Sequence, residues 1–334
     1  MEREQRRGLF TRMKDGMYGV SVKLHEKFGR PKKERGINRS KRGKLIFYCC
    51  LIVLPMLQYC VFYLGVNFNS ILLAFRQYDL QGGGFQWVGF QNFQSAFDKL
   101  FHLPELTFAF RNSLIAYACS LLVGIPLAVF FSYYIFKKFA GYRFFKVVLF
   151  MPSIVSAMIM SVIFSVFSNR VIPFIFETYF HTKVEGLLSN VDTLLPTMIA
   201  YTIYIGFGAN ILMYVGAMSN IPESVIESAQ LDGASNLQEL WYIVLPMIWP
   251  TLATFIVVGL TGVFTNQINL YPFFSDKANV RVYTYGYYLY VKTVTSTTIQ
   301  YPELAALGLI FTAIAAPLTL AVRKLLDKFG PSTD

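Results

Sequence analysis

Residues 45–75 read LIFYCCLIVLPMLQYCVFYLGVNFNSILLAF, a run without one Asp, Glu, Lys or Arg. About 20 apolar residues carry a helix across the hydrocarbon core of a bilayer, so the run predicts a membrane span. We place that span at 45–66. Further charge-free runs at 112–136, 147–169, 194–219, 247–271 and 304–322 predict five more. The expected fold is all-α, a polytopic bundle of six transmembrane helices over 45–322. Composition agrees: 54% of the 334 residues are hydrophobic, 17% aromatic and only 15% charged, more apolar surface than one water-soluble core hides. This argues against a soluble enzyme.

The formal net charge of +11 invites a nucleic-acid reading until it is located. Residues 1–44 hold 15 Lys/Arg against 5 Asp/Glu, which is +10 of the total. Four more basic residues and no acid lie in 137–146, and three basic residues in the tail, 323–334. Basic residues gather in cytoplasmic loops, so both termini are expected in the cytoplasm and no nucleic-acid partner is expected. In the arm, 1–44, Leu9, Met13, Met17, Val20 and Leu24 recur at helical spacing among basic residues. That suits a helix lying among lipid headgroups, and equally a basic tail that only enforces orientation. No cleavable signal peptide is expected, because the first apolar run has spanning length.

Chemistry-bearing residues are few. Cys49, Cys50, Cys60 and Cys119 all lie in apolar runs, and His25, His102 and His181 are scattered without acidic or thiol neighbours at ligand spacing. No catalytic residue and no metal site is expected. One cytoplasmic segment breaks the charge rule: 220–246 carries Glu223, Glu227, Asp232 and Glu239 with no Lys or Arg. Pro222 fits a helix start, Glu223, Glu227 and Gln230 share one face opposite Val225 and Ala229, and Gly233 can close the turn in the left-handed region. Ser235 with Gln238 then restarts a helix as a capping box, running through Leu240 and Trp241 to Pro246. A helix, bend and helix with four acids and a small-residue surface at Ser228, Ala229 and Ala234 suits docking against another protein.

That segment reads Glu227-Ser228-Ala229-Gln230-Leu231-Asp232-Gly233 and, nine residues on, Ile243-Val244-Leu245-Pro246. It resembles the Glu-Ala-Ala signature of permeases in binding-protein-dependent ATP-binding-cassette importers, departing only where Ser228 replaces the usual Ala. Ala74-Phe75-Arg76-Gln77-Tyr78, Trp87-Val88-Gly89-Phe90-Gln91-Asn92-Phe93, Arg111-Asn112-Ser113 and Leu149-Phe150-Met151-Pro152 are similar to the sugar-importer branch, especially its Gram-positive multiple-sugar and polysaccharide members. The resemblance implies the type I importer permease fold in a bacterial plasma membrane. It implies a second permease subunit, two ATPase subunits, an extracytoplasmic solute-binding protein and a saccharide cargo, with ATP and magnesium held by the ATPase and no cofactor by this chain. It gives Glu223, Glu227, Ser228, Ala229, Asp232, Gly233, Ile243, Leu245 and Pro246 the ATPase-coupling role.

A cargo pathway through the bundle needs polar or aromatic groups at membrane depth. The fourth span offers Tyr204, Gly206 and Asn210, and the fifth Gly262, Asn266 and Gln267, none of them charged. These are the expected pathway residues, and in maltose-type relatives the pocket is formed by these two spans. The competing role for Asn, Gln and Gly in membrane bundles is interhelical glue and packing notches. A glycerol phosphate ester is the alternative cargo, though a phosphate prefers a cation and no span contains one. An ion-coupled transporter or a membrane enzyme would need ionisable groups at depth that the spans lack.

Overall fold

The structure, a computed structural model, describes residues 37–331, with side chains from residue 43 onward. Both readings of the arm at Leu9 to Leu24 therefore fall outside the described residues. The chain divides into two compact units after Asn67. The first unit contributes most of helix α1 (Gly43–Leu73), which is longer than the span expected at 45–66.

From Phe68 onward the chain forms the second unit. A short antiparallel hairpin, β1 (Arg76–Asp79) with β2 (Gly84–Trp87), turns over Gly83 at φ +70°. It is pinned by the Asn92 amide, which donates to Ala74 O (2.9 Å) and Arg76 O (2.7 Å). Then come α2 (Gln91–His102), α3 (Pro104–Phe136), α4 (Tyr142–Ile154), α5 (Ala157–Phe180) and α6 (Val191–Met218). After these follow α7 (Glu223–Leu231), α8 (Asn236–Met247), α9 (Trp249–Gly262), α10 (Leu270–Phe274), α11 (Tyr285–Thr295) and α12 (Tyr301–Phe329). Five of these helices, α1, α3, α5, α6 and α12, are long and apolar enough to span, and there are six such spans if the bent pair of α8 and α9, which meet at 70°, is counted as one. The expected all-α membrane-helix architecture is the one observed among the described residues.

Several boundaries differ, each for a local reason. The third span, expected at 147–169, is broken: Val155 and Ser156 are extended, Pro152 brings no amide N–H, and the Ser156 side chain caps a new helix at Ile159 N (3.5 Å). The spanning helix is α5, and α4 is a separate short helix. The fifth span, expected at 247–271, bends at Ile248 and its helix ends at Gly262, and a left-handed pair, Ile268 (φ +43°) and Asn269 (φ +58°), follows before residue 271. Asn266 and Gln267 therefore lie beyond its end. The second span begins at Pro104 rather than 112, and the last runs Tyr301–Phe329, so most of the expected tail, 323–334, is helix.

Three π-helical turns have a shared cause. Ser120–Gly124, Phe167–Val171 and Leu240–Val244 each end two residues before a proline, Pro126, Pro173 and Pro246. A proline ring clashes with the carbonyl one turn back, and widening that turn moves the carbonyl aside.

Two apolar clusters position the site. One joins α3, α6 and α8 through Tyr133, Phe207, Ile211, Tyr214, Val244 and Ile248. The other joins α3, α9, α11 and α12 through Ala109, Leu260, Phe264, Tyr285 and Phe311. α3 belongs to both.

Candidate functional site

The acidic segment folds as helix, bend and helix. Pro222 precedes α7, Gly233 sits at φ +80°, and Ser235 and Gln238 form the reciprocal capping box. Glu223, Glu227, Ser228, Asp232 and Gly233 are exposed, while Ile243, Leu245 and Pro246 are half-buried. Ala229 differs from the expected docking surface: it is buried beside Ile226, facing the protein. Glu239 differs too, its side chain only 1% exposed. The presented surface instead includes Leu231, Leu237, Trp241 and Tyr242, with Leu231 88% and Tyr242 79% exposed. Exposed large apolar groups on the same bent segment as the exposed acids Glu223, Glu227 and Asp232 make a surface suited to burial against a partner carrying basic residues.

Two adjoining half-open cavities, about 190 and 120 Å³, share Ala116, Ser120, Asn266 and Ile268, of which Ser120 and Asn266 are exposed on this chain. The first is bounded further by Gly124 of α3 and by Thr202, Gly206 and Asn210 of α6. The second is bounded by Ser113 and Tyr117 of α3, Gly259 and Gly262 of α9, and Thr284. The structure thus brings Gly206, Asn210, Gly262 and Asn266 together and leaves two of the expected pathway residues out: Tyr204 is exposed elsewhere, and Gln267 touches neither cavity. No lining residue is charged. Larger openings exist at the surface, such as the 740 Å³ groove beside Trp249, Arg323 and Asp327, but they lie outside this interior wall.

Glycines on one helix play different parts. A Cβ at Gly206 would meet nothing within 4 Å, so this glycine opens onto the cavity. A Cβ at Gly208 would meet Leu149 O at 2.6 Å and Phe150 Cα at 2.7 Å, so that glycine is the notch that lets α4 pack against α6.

Below α9 the chain is held in a strained turn. Ile268, β-branched and left-handed, has its N–H taken by Asn266 Oδ1 (2.8 Å), and Asn269 Nδ2 donates to Thr202 Oγ1 (3.2 Å). Thr284 Oγ1 donates to Asn266 O (3.0 Å), the Asn112 amide donates to Arg281 O and Tyr283 O, and Ser113 Oγ accepts from Tyr285 N (2.9 Å). α3 therefore anchors the cap made by α11. In that cap, burial pushes the Tyr287 and Tyr288 hydroxyls up to about 12, so both remain neutral. The described residues contain no cluster of His, Cys, Asp or Glu that could hold a metal.

The α3 wall is the part that reasoning from the sequence missed. Its signal was present as small residues on one helical face, two of them hydroxyl-bearing: Ser113, Ala116, Ser120 and Gly124.

The model of the binding-protein-dependent transport system inner membrane component family matches residues 120–333. The polygalacturonan/rhamnogalacturonan transport system permease protein YteP of Bacillus subtilis is 23% identical over 310 residues, covering 87% of this chain and 93% of that protein. The arabinooligosaccharides transport system permease protein AraP of the same organism is 23% identical, covering 82% and 86%. Among solved structures, a bacterial ABC transporter involved in the import of the acidic polysaccharide alginate superposes with a TM-score of 0.72 at 20% identity, covering 87% of this chain and 99% of that chain. The chain is a multi-pass membrane protein that belongs to the family of binding-protein-dependent transport system inner membrane components.

Proposed function

We propose that this chain is the translocation subunit of an ATP-driven sugar importer, and that its cargo is a neutral oligosaccharide. In this reading it pairs with a second permease, docks an ATPase through α7 and α8, and receives its cargo from an extracytoplasmic solute-binding protein, with both termini in the cytoplasm. Two ATPase subunits supply ATP and magnesium chemistry. Glu223, Glu227 and Asp232 meet basic residues of the ATPase in charge-assisted contacts, and the bend at Gly233 seats the loop.

The uncharged interior wall carries the cargo assignment. Hydroxyls of Ser113, Ser120, Thr202 and Thr284 and the amides of Asn210 and Asn266 offer neutral donors and acceptors, and Tyr117 offers an aromatic face. Sugars bind through such groups, whereas a carboxylate or phosphate in a low-dielectric site calls for a cation. Each cavity is smaller than the ~300 Å³ usual for a drug-sized ligand. That size fits a wall completed by the partner permease.

The test is reconstitution of the full complex in vesicles, with uptake of neutral oligosaccharides measured beside oligogalacturonates and a glycerol phosphate ester. Neutral chains are expected to be imported and to raise ATP hydrolysis through the binding protein. Import of the anionic compounds alone would overturn the assignment.

A further inference from the structure

One acidic residue of the coupling segment does not face a partner. Glu239, at the start of α8, turns its carboxylate into the protein, where three elements meet. Oε2 lies 2.9 Å from Lys137 Nζ, itself only 13% exposed, and Oε1 accepts from the Tyr133 hydroxyl at 3.0 Å. Gln230 Nε2, from α7, lies 3.5 Å from Oε2. Tyr133 belongs to the end of α3 and Lys137 follows it directly. A single carboxylate therefore ties both arms of the bent loop to α3.

The chain already joins the loop covalently to α6, before it, and to α9, after it. It makes no such link to α3. Yet α3 supplies Ser113, Ala116, Tyr117, Ser120 and Gly124 to the cavities, so a pathway wall that moves with the loop requires α3 to be gripped by other means. From Ile125, beside the cavity, to Tyr133 the helix is regular over eight residues, about 12 Å at 1.5 Å per residue, so it can transmit a displacement over that length. A π-helical turn at Ser120–Gly124 gives it a weak point at the cavity, where a push at one end becomes a local bend.

We propose that Glu239 is a positioning residue for transport: its buried pairing with Lys137 and Tyr133 passes movement of the ATPase-docking loop to α3, and so to the cavity wall. The proposal rests on the importer reading given above. Apolar packing against Phe207 and Ile211 and the Ser132 Oγ hydrogen bond to Ile211 O (3.2 Å) hold α3 to α6 but do not reach the loop, whereas a charge buried out of water forfeits its compensation if it lets go of its partner. The pairing therefore stays closed as the loop moves.

The test uses the complete transporter, with Glu239→Gln, Lys137→Met and the charge-exchanged pair Lys137→Glu with Glu239→Lys. The readout is cargo imported per ATP hydrolysed in vesicles, at matched amounts of assembled complex. Each single variant is expected to hydrolyse ATP but to lose at least fivefold in import per ATP, and the exchanged pair to recover to within twofold of the parent. A merely structural role lowers import and hydrolysis together, leaving their ratio unchanged, and that result would overturn the proposal.

A second measurement needs no cargo and keeps the two readings separable. Nitroxides placed at Asn236 on α8 and Phe130 on α3 report the distance between loop and helix before and after ATP is added. In the parent complex the distance holds, and in Glu239→Gln it shifts or broadens. An unchanged distance in both would refute the tether even where the cargo assignment stands, and failure of the parent to import any neutral sugar would refute only the cargo.

Discussion

Two glycines one residue apart from being neighbours on α6 should fail in opposite ways. At Gly208 an added methyl would sit 2.6 Å from Leu149 O and 2.7 Å from Phe150 Cα, while ordinary contact begins near 3.4 Å. The obstruction is backbone, which cannot rotate away, so α4 and α6 must separate by about 0.8 Å at this point. Overpacking of this kind costs about 1–3 kcal/mol, which is roughly a 5- to 150-fold loss in the ratio of assembled to unassembled protein. Gly208→Ala should therefore lower the yield and thermal stability of the purified complex, with import per assembled complex near that of the parent.

At Gly206 the same methyl meets nothing within 4 Å and enters the 190 Å³ cavity. The helix itself gains, since alanine is a better helix former than glycine by about 1 kcal/mol. Gly206→Ala should keep or raise yield and stability while reducing import of the larger cargoes. The assay is monodispersity after heating in detergent, paired with import per complex in vesicles. If Gly206→Ala costs yield while Gly208→Ala costs import alone, the division between notch and pathway is wrong.

Three further outcomes are expected. Gly206→Leu should abolish import at unchanged yield, whereas Asn266→Ala, which removes one amide from the lining, should forfeit a hydrogen bond to the cargo of about 0.5–1.5 kcal/mol and lower import several-fold; because Asn266 Oδ1 also accepts from Ile268 N, yield is measured beside import, and equal losses matched by falling yield would make both residues structural. Glu227→Lys and Gly233→Pro should leave the protein in the membrane but abolish import and binding-protein stimulation of the ATPase. Proline cannot adopt φ +80° and would also remove the N–H that donates to Gln230 O, so normal transport by both variants would exclude the loop as the coupling element. Single cysteines at Tyr78, Thr182 and Thr293 should react with a membrane-impermeant thiol reagent in intact cells whose wall has been made permeable, and protection of all three would reverse the orientation.

The acidic loop at 220–246 was legible because its information is local. Pro222, Gly233 and the Ser235/Gln238 box each act within a few residues, so their geometry follows from backbone chemistry alone. The spans were legible as apolar runs, but their ends were not, since hydropathy does not register where a helix is interrupted. Val155 and Ile268 are as apolar as any helical neighbour. At one, a serine cap and an upstream proline break the helix, and at the other a left-handed pair held by Asn266 and Thr202 lies in the turn that follows Gly262. Glu239 was misread for a related reason. Its sequence neighbours suggest a solvated acidic face, and its partner Lys137 lies 102 residues away.

The same distinction explains why α3 escaped notice as a pathway wall. A cargo-binding helix in a membrane is expected to announce itself with charge or with conspicuous amides, and α3 has neither between residues 112 and 136 apart from Asn112, which is committed to Arg281 O and Tyr283 O. Its contribution is made by small residues and by a defect. Ser120 and Gly124 bound both the cavity and the π-helical turn that Pro126 imposes, so the lining residues sit where the regular hydrogen-bond ladder is loosened. A neutral sugar needs room and hydroxyl partners. Small side chains on a widened turn supply both without any residue that stands out when the sequence is scanned for chemistry. A helix so built is also easier to bend than a regular one, and a wall that must admit and then release its cargo gains from that softness only if its far end is firmly held, which is the position that Tyr133 and Lys137 occupy.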